Sequence, residues 1–307
     1  MNDITHFHFE KAEDFLNAIA PRGLTFGNLK ADESARLARQ FIFRGVGNIE
    51  NYKLVPSALR EEFLEDHDET KNWNNLKQVC SEWRILKQFF ECADSNGLPL
   101  PEDSQKLRQE IENFNIALRK ISENPLENED ETNELVTEFP RSEFLTLLAL
   151  AQHHGLPTRL LDWSRSAYTA AYFAATSAVK IIENGVNLAV WAFQYESFEW
   201  TSQLTHLPLQ IITAPNAGND HLKAQRGLFT LFRPDRLCWS NPVERHSFDA
   251  IAREIEGATF LKFTLPTKEA PTLLYLLSLE GVSGATIFPS YDGVVKAMRE
   301  AQIYPYD

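Results

Sequence analysis

"QFIFRGVGNIENYKLVPSALR", residues 40–60, runs an apolar strand into an arginine, then into two glycines, a tyrosine and a proline–serine turn. Phe41, Ile42 and Phe43 read as a buried strand. Arg44 follows them directly, where its guanidinium is costly to desolvate unless a partner or a ligand meets its donors. That partner must come from elsewhere in the chain.

The glycines after the strand do not make a nucleotide loop. "GVGNIE" has Glu50 where G-x-G-x-x-G needs its third glycine, and the chain continues to a proline turn instead of a helix. Walker A, H-E-x-x-H and G-x-S-x-G patterns are absent from the sequence. His153 and His154 are adjacent, so on a helix they point about 100° apart. No third ligand lies at a familiar spacing, and no metal site is expected.

At 307 residues with 43% hydrophobic content, the chain can build a sizeable core as one large domain or two smaller ones. No apolar run approaches the roughly 18 residues that would span a bilayer, and "MNDITHFHFEKAEDF" has no signal-peptide pattern. These features predict a cytoplasmic protein with no membrane partner. Cys80, Cys92 and Cys238 are odd in number and far apart, which predicts reduced thiols. A net charge of −13 argues against broad binding to a phosphate backbone, while leaving room for a local basic cleft.

Residues 1–39 read as two helical pieces, around 8–20 and 30–40, leading into the strand at 40–44. Ser57 reads as a helix cap, and helices are predicted through 72–97 and, behind a proline-rich start, 98–125. The stretch "LENEDETNEL" (126–135) carries five acids in ten residues and reads as a solvated loop. A helix from Ser142 to Gly155, an irregular "GLPTRLLDWSRS" (155–166) and a helix over 166–183 come next. Short strands follow at 186–193, 207–213, 227–232 and 258–266, then a helix at 271–280, a short "ATIFP" strand and a last helix at 292–301. The first strand is thus separated from the later ones by about 140 mostly helical residues, which predicts an α+β fold and not alternating βαβ.

Between two apolar helices, Gln152, His153, Thr158, Arg159, Asp162 and Trp163 lie within twelve residues. Two readings stay open. In one, Arg159 and Asp162 form a structural ion pair, Trp163 anchors the core and His153 meets the last carbonyls of its helix. In the other, the cluster is a site facing Arg44.

Arg44 in "FRG", "YKLVPSALR", "LALAQHHGLPTRLLDWSRSAYTAAYFA", "KAQRGLFTLF" and "FPSYDGV" occur in the order characteristic of the FRG domain family, which this chain resembles over roughly residues 40–300. That resemblance implies an FRG domain over 40–307, with 60–140 as a helical and acidic insertion. The family's arrangement is in turn similar to the ADP-ribosyltransferase superfamily. The implied fold is a split β-sheet core with the helical insertion after its first strand, and NAD is the implied substrate. Arg44, His153 and Gln225 become the expected catalytic residues. Arg44, Tyr52, Gln152, Thr158, Arg159, Asp162, Trp163 and Tyr172 are the expected NAD-binding residues. Transferases of this kind usually carry a glutamate where this chain has Gln225, and an amide cannot act as a base. The biology implied is that of a bacterial toxin or phage-defence effector, with a protein or nucleic-acid acceptor and an antitoxin protein as partners. NAD hydrolysis and a catalytically silent binding module are the alternatives.

Overall fold

The computed structural model describes residues 4–21, 40–51, 53–62, 73–181, 185–194, 209–213, 220–233, 237–255 and 259–305. Its sheet has seven strands: β1 (Thr5–His8), β2 (Phe41–Val46), β3 (Leu160–Ser164), β4 (Asn187–Gln194), β5 (Leu209–Ile212), β6 (Gly227–Phe232) and β7 (Phe260–Pro266). They lie in the order β1-β7-β4-β2-β3-β6-β5. Among the described strands only β1 and β7 run parallel, and every other pair is antiparallel. Helices sit between strands without regular alternation, so the fold is α+β, as the pattern of the sequence predicts. Among the described residues no helix is long and apolar enough to cross a membrane.

Strand alternation divides the core. Phe41, Phe43, Val190, Phe263 and Leu265 face α1 (Ala12–Ile19), α6 (Ala167–Ala178) and α9 (Ala270–Leu279). Ile42, Trp163, Trp191, Phe193 and Leu228 face the opposite way, against Phe248 and Ile251 of α8 (Phe248–Glu254). A separate apolar cluster joins the end of the sheet at Leu160, Phe229 and Leu231 to four helices inserted between β2 and β3. These are α2 (Asn75–Ser95), α3 (Gln105–Glu123), α4 (Glu129–Glu138) and α5 (Leu145–His153).

Several elements differ from the sequence expectation. The acidic stretch ends in a helix: α4 buries Thr132, Leu135 and Val136, and its opening Glu129, Asp130 and Glu131 stand where the helix dipole favours negative charge. The apolar residues that dock it come only at the end of the acidic run. "LLDWS" is a strand and not an irregular crossing, because β6 pairs with all five of its residues. The expected "ATIFP" strand is replaced by a short helix, α10 (Gly284–Ile287), since Ser283 and Thr286 close a capping box around its start. Thr5–His8 is a strand on β7 within the segment expected to be helical, while α1 forms as expected. The helix expected at 30–40 falls almost wholly outside the described residues. Ser57 opens a 3-10 turn, and its hydroxyl bonds the backbone of Thr158.

The two halves of the sheet barely join. β2 pairs with β4 over six rungs and β3 with β6 over five, but β2 meets β3 only at Phe43 and Ser164. On the other side, β2 is pressed against α6 (Ala167–Ala178). A Cβ on Gly45 would lie 1.8 Å from the Ala170 carbonyl oxygen, and one on Gly47 2.5 Å from Ser177 Cβ. The glycines after Arg44 therefore let helix backbone lie directly on strand backbone. Gly45→Ala is expected to cost at least the upper end of the roughly 1–3 kcal/mol typical of overpacking, because backbone on both sides must move. Urea unfolding with an unchanged midpoint would show that this contact is not close.

Candidate functional site

Where β2 and β3 part, Arg44 takes over. One rung beyond Phe43 and Ser164, its Nη1 donates to the Asp162 carbonyl oxygen at 2.6 Å and to Asp162 Oδ2 at 2.6 Å. A side chain thus meets a carbonyl of the parting strand, and its charge meets that residue's carboxylate. Arg44 Nε is buried and has no partner among the described residues, a costly state for a donor of this strength.

Asp162 is held on its other oxygen as well. Gln152, near the end of α5, donates its Nε2 to Asp162 Oδ1. Thr158 donates its hydroxyl to Gln152 Oε1 and accepts from Leu160 N at 3.2 Å. The Asp162 side chain is 57% exposed, against 13% for Arg44, so the carboxylate opens toward solvent while the cation backs it. Surrounding protein atoms work against ionisation. The Arg44 charge and hydrogen bond, with Gln152, outweigh that and hold the carboxyl below its ordinary 3.8.

A cleft of about 390 Å³ opens over this pair, within the range of small-molecule sites. Arg44, Gln152, His153, Asp162, Trp163 and Gln225 all line it, so six of the expected site residues meet in one place. His153 ends α5 with its ring 5.3 Å from that of His154. Gln225 closes α7 (Asp220–Gln225), and its carbonyl accepts from Ser164 Oγ at 2.7 Å. The next residue, Arg226, has φ +49°, a left-handed conformation that turns the chain into β6. Trp163 borders the cleft but is otherwise a core residue: its Nε1 donates to Thr230 Oγ1 at 2.9 Å and its ring packs on Phe248.

The remaining expected residues lie elsewhere. Arg159 does not pair with Asp162. It donates from Nε and Nη2 to the two oxygens of Glu82 at 2.8 and 2.7 Å and from Nη1 to the Phe139 carbonyl at 3.0 Å. This buried fork ties the residue that leads into β3 to α2 of the insertion. Thr158 is buried behind Gln152 and does not line the cleft. Tyr172 is buried in the core with its hydroxyl donated to Glu300, so it is not the cleft's aromatic. Tyr52 lies outside the described residues. The half-buried Phe173, one position further round the helix, lines the cleft with Ala170 and Ser177 at i−3 and i+4, and Phe288 joins them. That helical spacing was the signal by which Phe173 could have been chosen over Tyr172.

The FRG domain family matches residues 39–181. The matched span holds β2, the helical insertion, β3 and α6, and with them Arg44, Gln152 and Asp162; Gln225 and Phe288 lie beyond it. No curated protein and no solved structure matches the chain.

The two ion pairs should behave differently. Glu82→Ala leaves Arg159 buried and uncompensated, a loss of about 3–5 kcal/mol. Asp162→Asn should cost far less at neutral pH, because its carboxylate faces solvent. The stabilisation from Asp162 is complete above its ordinary 3.8 and disappears as pH falls through its lower folded value. Denaturation of wild type and Asp162→Asn from neutral to strongly acid pH should give curves that converge; a constant gap would show that Asp162 is not held ionised.

Proposed function

We propose that the cleft binds NAD and transfers its ADP-ribose to a macromolecular acceptor. The observation that carries this reading is an ionised carboxylate, Asp162, held by Arg44 and Gln152 in a cleft where the sheet divides. The resemblance to ADP-ribosyltransferases adds support, because it implies a split sheet with an arginine on its first core strand.

The chemistry suits those residues. The nicotinamide–ribose bond breaks with its electron pair leaving on nicotinamide, and positive charge develops on the ribose. A fixed carboxylate stabilises that charge without reorganising. Asp162 supplies the negative group where Gln225 offers only an amide, and Gln225 is left to hydrogen-bond a hydroxyl. The acceptor's nucleophile then forms the new bond to the ribose carbon and loses a proton, for which His153 on the cleft wall is the base. Arg44 gives Nη1 to Asp162 and keeps its outer nitrogen for the pyrophosphate. Phe173 and Phe288 provide an apolar wall for a flat ring. An effector acting on a protein or a nucleic acid, of the toxin or phage-defence kind, fits this chemistry.

Incubation with NAD in the presence of candidate acceptors should release nicotinamide. Arg44→Ala removes a charge-assisted contact of about 1.5–3 kcal/mol and should weaken NAD binding at least about tenfold, with Arg44→Lys rescuing little. Asp162→Asn should keep NAD binding and lose release per folded molecule. Free ADP-ribose as the sole product would make water the acceptor. No release, together with unaltered NAD binding in the Arg44 variants, would leave a binding module instead.

A further inference from the structure

Thr158 lies behind the cleft, buried and two residues short of β3. Its hydroxyl has one proton to give. Leu160 N–H points at the oxygen from 3.2 Å, which occupies a lone pair, and the proton goes to Gln152 Oε1. An amide whose oxygen is so engaged can present only its NH₂ on the other side, and that NH₂ meets Asp162 Oδ1. Flipped, the amide would set its oxygen against the carboxylate. Hydrogen bonds to its backbone hold Thr158 itself from outside this relay: Ala58 N donates to its carbonyl at 3.0 Å and its own N–H reaches Ser57 Oγ at 3.1 Å. The ionised Asp162 only accepts, so it takes the amide NH₂ and leaves Oε1 toward Thr158, whose hydroxyl then donates while the Leu160 N–H holds one of its lone pairs.

We propose that Thr158 is a positioning residue which, by fixing the orientation of the Gln152 amide, holds the Asp162 carboxylate aimed into the cleft. The role of that carboxylate in transfer rests on the function proposed above; the relay itself does not. The charged or titratable groups facing Asp162 are Arg44 from β2 and His153 from α5, while Gln225 from α7, Phe229 from β6 and Phe173 from α6 are neutral. Arg44 and His153 are common to every variant compared below, so a change in Asp162 reports the relay.

The test is a carboxyl ¹³C titration of the full chain, with Asp162 assigned by the signal lost in Asp162→Asn. Thr158→Val keeps the shape and removes the hydroxyl, freeing the Gln152 amide to turn. The Asp162 midpoint should rise by about half a unit or more, roughly threefold or more in its acid constant, and Thr158→Ser should stay within about 0.2 unit of wild type. If Thr158→Val does not fold, Gln152→Leu must raise the midpoint by at least as much, and in the wild type the Gln152 NH₂ resonances must move at the Asp162 midpoint. Equal midpoints in wild type and folded Thr158→Val, or in wild type and Gln152→Leu, or Gln152 NH₂ signals indifferent to the Asp162 titration, would overturn the relay. These readouts need no turnover. A chain that releases no nicotinamide but shows the shifts keeps the relay and loses the transferase reading, and an active chain without them does the reverse.

Discussion

The fold turns on a strand pair that stops after one rung. Had β2 and β3 continued to pair, Gly45 would face Asp162 and the two halves of the sheet would close along a backbone ladder. Instead the Arg44 guanidinium meets both the carbonyl and the carboxylate of Asp162. A long charged side chain can bridge strands that have parted beyond the roughly 4.8 Å spacing of a backbone ladder. The space between them is the cleft. The glycines that follow Arg44 serve the same geometry from behind, because they let α6 lie on β2 backbone and carry Phe173 to the cleft wall.

The insertion contributes more than bulk. Its helices have an apolar core of their own, yet two polar links run from them to β3. Glu82 of α2 takes the buried Arg159, and Gln152 of α5 takes the open Asp162. Gln78 extends the first link, donating to Glu82 Oε1 and to the Ala58 carbonyl at 2.8 Å each. The first link is dry and bidentate, suited to fixing one element against another. The second is wet on one side, suited to meeting a ligand. Two acid–arginine pairs within a few residues of chain thus divide into scaffold and site according to what covers them. The excess of acidic residues over the whole molecule does not decide the matter, because the field at the cleft is set by Arg44 and Asp162 at contact range.

Much of this was legible in the sequence. The 3.6-residue period of the long helices, the apolar runs of β4, β6 and β7 and the separation of β2 from the later strands were enough to determine an α+β fold. The crowding of Gln152, His153 and Asp162 into one stretch, with a lone arginine at the end of an apolar strand, pointed to the residues that line the cleft. Local pattern suffices there because side-chain spacing along one element follows from backbone geometry alone. Local pattern misled where a short segment takes its structure from its neighbours. "LLDWS" is a strand because β6 offers it a ladder, and α4 is a helix because Leu135 and Val136 find the insertion's core. Which acid each arginine takes could not be read from the chain either: Asp162 is three residues from Arg159 and 118 from Arg44, and it pairs with Arg44. The tertiary structure decided that choice, since β3 turns Arg159 toward α2 while the parting of the sheet leaves Asp162 facing Arg44, and ion pairing is governed by distance in space and by burial.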